Sequence, residues 1–139
     1  MTNSQPLIYC VDDSADYRLL MGLVFQRVLT QYNVQFFESG TELCERLGSV
    51  AIPSLLLMDY TMPGLSGPQT LSRLRQHPHW QSVPAVIVSS STLPSDEQAA
   101  MAAGAVSYMI KPMTLDVMTR QLTYLCQQWA AGRLPKDPA

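Results

Sequence analysis

The chain has 139 residues, of which 47% are hydrophobic, and its formal net charge is −2. This length fits one domain over residues 1–139, with a core at 6–130 and a flexible tail at 131–139. The nine Lys and Arg residues are scattered along the chain, without the basic stripe that is typical of nucleic-acid-binding proteins. We therefore expect no direct contact with nucleic acid.

The cysteines and the N-terminus indicate the compartment. Cys10, Cys44 and Cys126 are too far apart for a zinc site or a disulfide framework, and each lies in an apolar run, so we expect buried free thiols. The N-terminus lacks the features of a signal peptide, and no stretch approaches the length of a membrane span. These observations predict a cytoplasmic protein without membrane association.

Five short apolar segments predict the strands of one sheet. They are Leu7–Val11, Val34–Phe37, Leu55–Met58, Ala85–Val88 and Ser107–Ile110. The first, third and fourth are nearly continuous in apolar residues, as in central strands that are covered on both faces. The second and fifth are more mixed in composition, so we expect them at the edges of the sheet.

Five helical patterns alternate with these segments. The first has an apolar stripe at three- and four-residue spacing, formed by Tyr17, Leu20, Met21, Val24, Phe25 and Val28. The second covers Thr41–Leu47. The third begins at Pro68, a residue favoured at the first helical position, and ends before Pro78.

The last two helices follow the same alternation. The fourth is predicted to begin at Ser95, which has a capping-box spacing to Gln98, and to end at Gly104. The fifth starts near Thr114, and its apolar face contains Leu115, Met118, Leu122, Leu125 and Trp129. Strands that alternate with helices predict an α/β fold with right-handed crossovers and one doubly wound parallel sheet.

Polar side chains follow the predicted strands, at the edge where open α/β sheets bind their ligands. Asp12 and Asp13 follow the first strand, and Asp59 follows the third. Ser89 and Lys111 follow the fourth and fifth strands. Three carboxylates, a hydroxyl and an ammonium group are therefore expected to converge at this edge.

The charges of these groups indicate a metal site. Three neighbouring carboxylates repel one another, and the single charge of Lys111 does not balance them. A divalent cation resolves this conflict, and Mg²⁺ suits a site with few carboxylates and room for water and phosphate oxygens. With Mg²⁺ bound, Asp59 can act as a nucleophile on phosphorus and form an aspartyl phosphate. Lys111 and the Ser89 hydroxyl would then contact the phosphoryl oxygens.

Each of these residues also has an ordinary structural interpretation. Two acids before a helix, such as Asp12 and Asp13, often form only an N-terminal cap. Asp59 before Met-Pro-Gly can belong to a turn. Lys111 and the serines after the fourth strand can be polar loop residues. Only their joint placement at successive strand ends favours the functional interpretation.

Four segments carry a resemblance to a known family. They are LIYCVDDS (7–14), LLLMDYTMPGLSG (55–67), PAVIVSS (84–90) and GAVSYMIKP (104–112). In these segments the chain resembles the receiver domain of bacterial two-component response regulators, over roughly residues 6 to 130. The resemblance implies a flavodoxin-like sheet with five helices and the strand order 2-1-3-4-5.

The resemblance also implies which residues accept the phosphoryl group and bind the metal. Asp59 corresponds to the phosphoacceptor of the family and Asp13 to its direct acidic metal ligand. Asp12 corresponds to the neighbouring acid, which acts through a bound water. Thr61, two residues after the acceptor, would offer its backbone carbonyl to the metal.

Three further positions correspond to the family's switch. Ser89 and Lys111 match the hydroxyl and the lysine that contact the phosphoryl group, and Tyr108 matches the aromatic side chain that changes rotamer when the hydroxyl moves. The surface of the fourth helix, fifth strand and fifth helix would change as a result. Its candidate exposed residues are Met101, Met109, Met113, Met118 and Tyr124. The usual partitioning of apolar side chains would bury about three of these five.

The resemblance implies the partners as well. A sensor histidine kinase or a histidine phosphotransfer protein would donate the phosphoryl group. No output domain is expected after the last helix, so the effect would pass to another protein, as a diffusible signal, a relay intermediate or a phosphate sink. A homodimer through the switch surface is a further option.

Two other classes of function stay open on the sequence alone. An aspartate-nucleophile phosphohydrolase would need a general acid two residues after the nucleophile, where this chain has Thr61. A constitutive binding module would be unaffected by phosphorylation, and the intact acidic cluster argues against it.

Overall fold

A computed structural model of the protein describes residues 5–132 and contains one sheet of five parallel strands. The strands are β1 (Leu7–Val11), β2 (Asn33–Phe37), β3 (Leu55–Asp59), β4 (Ala85–Ser89) and β5 (Ser107–Ile110). Their order in the sheet is β2-β1-β3-β4-β5, as the family resemblance implies. The doubly wound α/β fold is therefore confirmed, and β3 and β4 each reach one residue further than predicted.

Four helices connect the strands, and a fifth follows the last strand. They are α1 (Ala15–Arg27), α2 (Gly40–Glu45), α3 (Gly67–Leu74), α4 (Pro94–Ala102) and α5 (Leu115–Ala130), with short 3₁₀ turns at Leu47–Ser49 and Pro78–Trp80. Within residues 5–132, no helix has the length and apolar character needed to cross a bilayer. All three cysteines are free thiols, and Cys44 is only half-buried. Most of the predicted tail, from residue 133 onward, lies outside the described residues.

Two hydrophobic cores cover the two faces of the sheet. Successive residues of a strand point to opposite faces, so Tyr9 and Val11 belong to one core, whereas Ile8 and Cys10 belong to the other. The first core packs beneath α2, α3 and α4, and the second packs beneath α1 and α5. Every residue of β3 and β4 is buried, whereas β2 and β5 are partly exposed. The predicted central and edge strands are thus confirmed.

Hydroxyl side chains determine where four of the helices begin. Ser14, Ser39, Ser66 and Thr114 each accept a hydrogen bond from the backbone N–H three residues later. This contact satisfies a donor that the helix itself leaves without a partner. At α3 the side chain of Gln69 also accepts the N–H of Ser66, which completes a capping box.

The prediction that α4 begins at Ser95 with a capping box to Gln98 is wrong. The helix begins at Pro94, and the preceding Leu93 provides no side-chain cap. Proline has a fixed φ that suits the first turn and no N–H that needs an acceptor there. Pro94 therefore starts the helix before the serine is reached.

Three predicted helical stretches differ from the structure at their ends. Val28, predicted in the apolar stripe of α1, is 50% exposed because the regular helix ends before it. Leu29 is buried in its place. Leu115, at the first position of α5, is 41% exposed. The second helix ends two residues earlier than the predicted Thr41–Leu47.

Gly67 allows the loop after β3 to fold closely against the strand end. Its N–H donates to the carbonyl of Tyr60 at 2.7 Å. A Cβ atom added to Gly67 would lie 2.5 Å from the backbone carbonyl oxygen of Asp59. Because the obstructing atom is backbone, it cannot move aside as a flexible side chain can. The close approach therefore requires glycine and fixes the main chain at Asp59.

Replacing Gly67 with alanine should destabilise the fold by displacing the end of β3. We expect the free energy of unfolding to fall by about 1–3 kcal/mol, as at other overpacked sites, measured by urea denaturation with circular dichroism. Gly48→Ala is the matched control, because a Cβ at Gly48 meets no atom within 4 Å. Equal stabilities of the two variants would contradict this account of Gly67.

Candidate functional site

Backbone hydrogen bonds continue beyond the strands and position the polar side chains. The N–H of Asp12 donates to the carbonyl of Phe37 at 3.0 Å, and the N–H of Lys111 donates to the carbonyl of Ser89 at 2.8 Å. Asp59 and Ser89 are themselves the last residues of β3 and β4. The polar side chains therefore lie at one carboxyl edge of the sheet, where the strand order predicts them.

Three carboxylates meet at this edge. One oxygen atom from each of Asp12, Asp13 and Asp59 lies within 4.8 Å of the others. Asp12 and Asp59 are buried, whereas Asp13 is exposed. Burial raises the pKa of Asp59 to about 6, the nearby Asp12 and Asp13 carboxylates add to the increase, and Lys111 opposes it. The ionised form of Asp59 is thus destabilised in its surroundings.

Lys111 provides the positive charge that contacts the cluster. Its Nζ lies 3.0 Å from Oδ2 of Asp12 and 3.5 Å from Oδ2 of Asp59. The lysine side chain is 17% exposed, so solvent shields these contacts only in part. When all three acids are ionised, one ammonium group leaves two negative charges uncompensated. This imbalance favours a divalent cation.

The Asp12 carboxylate is engaged within the protein through both of its oxygens. Oδ1 accepts the N–H of Ser14 at 2.9 Å, and Oδ2 faces Lys111. Asp13, by contrast, takes part in no salt bridge among residues 5–132. Asp13 and Asp59 therefore have more unengaged oxygen atoms than Asp12 with which to bind a cation directly.

The donor set fits a hard divalent cation. All three side chains offer carboxylate oxygens, the ligands that Mg²⁺ prefers. In the described part of the chain, no His or Cys joins the cluster, whereas protein zinc sites typically contain them. Thr61, whose carbonyl is the fourth predicted ligand, lines the same cavity as Asp59 and has an exposed side chain.

This cavity has a volume of about 340 Å³ and opens beside Asp59. Its lining also includes Tyr60, Ser89, Ser90, Ser91, Asp96 and Lys111. Hydroxyl groups and an ammonium group next to a carboxylate suit an oxygen-rich anion such as a phosphoryl group.

Asp96 lines this cavity although the sequence analysis does not place it there. The Tyr60 hydroxyl donates to its Oδ1 at 3.4 Å, a contact between distant segments that no local pattern indicates.

The main chain of Ser91 links Ser89 to Tyr108. The hydroxyl oxygen of the buried Ser89 accepts the N–H of Ser91 at 3.0 Å. The carbonyl of Ser91 in turn accepts a hydrogen bond from the Tyr108 hydroxyl at 2.8 Å. A movement of the Ser89 hydroxyl away from this N–H would therefore remove one of the hydrogen bonds that hold Ser91, the residue to which the Tyr108 hydroxyl is hydrogen-bonded. The connection depends on the loop conformation, so the sequence alone does not show it.

Two residues in the first turns of α1 contact the site without having been predicted there. Arg18 donates to the backbone carbonyl of Asp12 at 2.7 Å. The ring of Tyr17 lies beside Lys111, with its centroid 4.2 Å from Nζ. Burial raises the pKa of the Tyr17 hydroxyl. Helical periodicity assigned Tyr17 to the apolar stripe, and only the neighbouring strand ends reveal its second contact.

The surface formed by α4, β5 and α5 is more exposed than predicted. Met101, Met113 and Tyr124 are 37%, 85% and 64% exposed, respectively. Met109 is half-buried, and Met118 alone of the five candidates is fully buried. Met118 packs in the second core, whereas the exposed methionines lie at the end of α4 and in the loop after β5.

Comparisons with known proteins agree with the fold. A family model described as response regulator receiver domain matches residues 8–123. A probable cyclic di-GMP phosphodiesterase of Vibrio cholerae is 31% identical over 115 residues, which cover 83% of this chain and 25% of that protein. Two-component response regulator ORR7 of Oryza sativa subsp. japonica is 30% identical over 106 residues, 76% of this chain and 50% of that protein. The chain thus spans a quarter to a half of these relatives.

Solved structures share the architecture. The Mn(2+)-bound form of response regulator Rcp1 has a TM-score of 0.79 at 20% identity, with 89% of this chain and 94% of that chain covered. The phosphorylated cyanobacterial phytochrome response regulator RcpA has a TM-score of 0.82 at 18% identity, with 93% and 96% covered. At these identities the similarity establishes the fold alone.

The Asp59 carboxylate should destabilise the metal-free protein at neutral pH. Its pKa rises from the ordinary 3.8 to about 6 on folding. The folded protein therefore retains a proton that the unfolded chain has lost, and its stability falls as the pH rises through this window. In EDTA at neutral pH, we expect Asp59→Asn to increase the free energy of unfolding by about 1–3 kcal/mol, measured by urea denaturation.

The control for this prediction is Asp16→Asn. Asp16 is exposed in the first turn of α1, outside the cluster, and its removal should slightly lower stability because a charge leaves the helix N-terminus. Excess Mg²⁺ should reduce the difference in the free energy of unfolding between Asp59→Asn and the wild type, because the wild type keeps all three carboxylates and Asp59→Asn does not. A lower stability of Asp59→Asn than of the wild type in EDTA would contradict the proposed repulsion.

Proposed function

Because the chain belongs to the response regulator receiver domain family, we propose that it is a phosphorylation switch in two-component signalling. In this proposal, Asp59 accepts a phosphoryl group from a sensor histidine kinase or a histidine phosphotransfer protein in a Mg²⁺-dependent reaction. The observation that carries the proposal is the cluster of three carboxylates with a lysine in contact, in which Asp59 is buried beside an open cavity.

Asp59 is the proposed nucleophile. One of its carboxylate oxygens forms a bond to phosphorus while the bond from phosphorus to the imidazole nitrogen of the donor breaks. The leaving imidazole keeps the electron pair of that bond. A pKa of about 6 leaves most Asp59 side chains ionised at neutral pH, so the nucleophile needs no separate base.

Asp13, Asp59 and the Thr61 carbonyl are proposed to bind Mg²⁺ directly, with Asp12 acting through a water. The engagement of both Asp12 oxygens by Ser14 and Lys111 supports this division. When bound, Mg²⁺ would neutralise charge on the phosphoryl oxygens. Rcp1, which shares the fold, is described in a Mn(2+)-bound form.

Ser89, Lys111 and Tyr108 are proposed to convert phosphorylation into a change of surface. Lys111 would pair with one phosphoryl oxygen, and the Ser89 hydroxyl would donate to another. To donate, the Ser89 hydroxyl would turn toward the phosphoryl group, and this movement would break its hydrogen bond with the N–H of Ser91. The carbonyl of Ser91 holds the Tyr108 hydroxyl. The present hydrogen bonds of Ser91 to both side chains support this route from the reaction to β5.

The surface of α4, β5 and α5 is the proposed output of the switch. Its exposed Met113 and Tyr124 suit contact with a downstream protein or with a second copy of the chain. We propose that residues 1–139 function as one receiver domain in the cytoplasm. Turnover of phosphate esters is not part of the proposal, because Thr61 provides no general acid beside the nucleophile.

The test of the acceptor is phosphorylation by acetyl phosphate in the presence of Mg²⁺. Intact-mass spectrometry should show that the wild type gains the mass of one phosphoryl group, and EDTA should abolish the gain. Asp59→Asn should gain none, whereas the control Asp16→Asn should match the wild type. Phosphorylation of Asp59→Asn at the wild-type rate would show that another residue is the acceptor.

Two further variants separate phosphorylation from the response to it. Lys111→Ala and Ser89→Ala should both still accept a phosphoryl group on Asp59, because the nucleophile is intact, although Lys111→Ala should accept it more slowly because it lacks the charge that pairs with the phosphoryl oxygens. They should lose most of the change in the NMR signals of the Tyr108 ring that acetyl phosphate causes in the wild type. Ser90→Ala is the control, since Ser90 is exposed and makes no contact with Tyr108 in the proposed route. A wild-type response in Ser89→Ala would refute the role of its hydroxyl.

A further inference from the structure

The Lys111 ammonium group has a third neighbour besides the two carboxylates. Its Nζ lies over the ring of Tyr17, 4.2 Å from the centroid, and at 3.0 Å and 3.5 Å from Asp12 and Asp59. The ammonium group is therefore held between an aromatic face and an acidic pair. Neither family resemblance nor helical periodicity assigns Tyr17 a place in this site.

The position of the ring is fixed by the start of α1. The N–H of Tyr17 donates to the Ser14 hydroxyl at 3.1 Å, which caps the helix. Tyr17 is half-buried and packs against the second core on the face that α1 shares with α5. The helix cap and the core thus hold the aromatic face next to the strand end that carries Lys111.

A cation near an aromatic face is attracted by the negative potential of the ring. The attraction is stronger where solvent is excluded, and the Lys111 side chain is only 17% exposed. The attraction to the ring also does not depend on the acids. A divalent cation bound at Asp59 would weaken the ion pairs of Lys111, whereas the attraction to the Tyr17 ring would remain. A flexible lysine stem then remains confined beside the reacting carboxylate.

We propose that Tyr17 is a positioning residue, whose ring face holds the Lys111 ammonium group beside Asp59, ready to pair with the oxygens of an arriving phosphoryl group. The proposal rests on the proposed function of Asp59 as phosphoacceptor. Because the ring face makes the contact, the hydroxyl of Tyr17 is dispensable. Phenylalanine should therefore replace tyrosine, whereas an aliphatic side chain of similar size should not.

The first measurement is the initial rate of phosphorylation by acetyl phosphate with saturating Mg²⁺. Tyr17→Phe should stay within about twofold of the wild type, and Tyr17→Leu should be slower by about 3- to 30-fold, the range that cation–π energies give. Tyr32→Leu is the matched control. Tyr32 is another half-buried aromatic residue of the second core, with its ring 5.6 Å from that of Trp129 and no contact with Lys111. It should leave the rate unchanged.

A fluorinated series distinguishes attraction to the ring from simple packing. Phenylalanine with one, two or three ring fluorines at position 17 keeps nearly the same shape but progressively loses negative potential at the ring face. The rate should fall stepwise along the series. A flat series, or equal rates for Tyr17→Leu and Tyr17→Phe, would overturn the proposal even if the wild type is phosphorylated on Asp59.

A second measurement does not depend on phosphorylation. Protons above an aromatic face are shielded, so the ε-methylene signals of Lys111 should lie upfield in the wild type and in Tyr17→Phe, and should return to ordinary values in Tyr17→Leu. Ordinary values in the wild type would refute the contact itself. A wild type that shows the upfield signals but takes up no phosphoryl group would instead refute the function of Asp59, and with it the role of Tyr17 in that reaction.

Discussion

The repulsion between carboxylates at the carboxyl edge of the sheet is the interaction on which the rest of the site depends. Asp12 and Asp59 are held close together by adjacent central strands, and Asp13 follows directly. Lys111 compensates only part of their charge. A fold that contains this cluster must be stable enough to tolerate it, and any cation that binds there stabilises the native state. The proposed affinity for a divalent cation would thus be a property of the fold as much as of the individual ligands.

The scaffold divides this edge into a rigid part and a movable part. The acids and the lysine lie at strand ends, where backbone hydrogen bonds to neighbouring strands fix the main chain. The close approach of Gly67 fixes Asp59 further. Ser91 lies in the loop after β4, outside the ladder, and it carries the hydrogen bonds to Ser89 and Tyr108. Precise chemistry benefits from the first arrangement, and a conformational response requires the second.

Much of this organisation can be predicted from the sequence, for identifiable physical reasons. Apolar runs of strand length and the polar residues that end them are local features, so the sheet and the positions of Asp12, Asp59 and Lys111 follow from the chain. Contacts that depend on how a helix is rotated against the sheet do not. The proximity of Tyr17 to Lys111 and of Asp96 to Tyr60 is of this second kind. The start of α4 was mispredicted because two local signals, Pro94 and Ser95, compete within one turn.

The hydrogen-bond and ion-pair partners of the site residues suggest how one edge of the sheet could support both the proposed phosphorylation and the proposed conformational change. Phosphorylation of Asp59, in the proposed function, would replace a single negative charge by a group of about two. Backbone hydrogen bonds hold the strand ends, so the added charge would be met by side chains that can reorient. Lys111 is confined by the Tyr17 ring and can change its carboxylate partner without leaving the site. The Ser89 hydroxyl would have to turn toward the phosphoryl group to donate to it, and in the proposed route this turn breaks its hydrogen bond with the N–H of Ser91. Under the proposed function, the response would therefore pass along the loop toward Tyr108, because the Tyr17 ring already holds Lys111 beside the site.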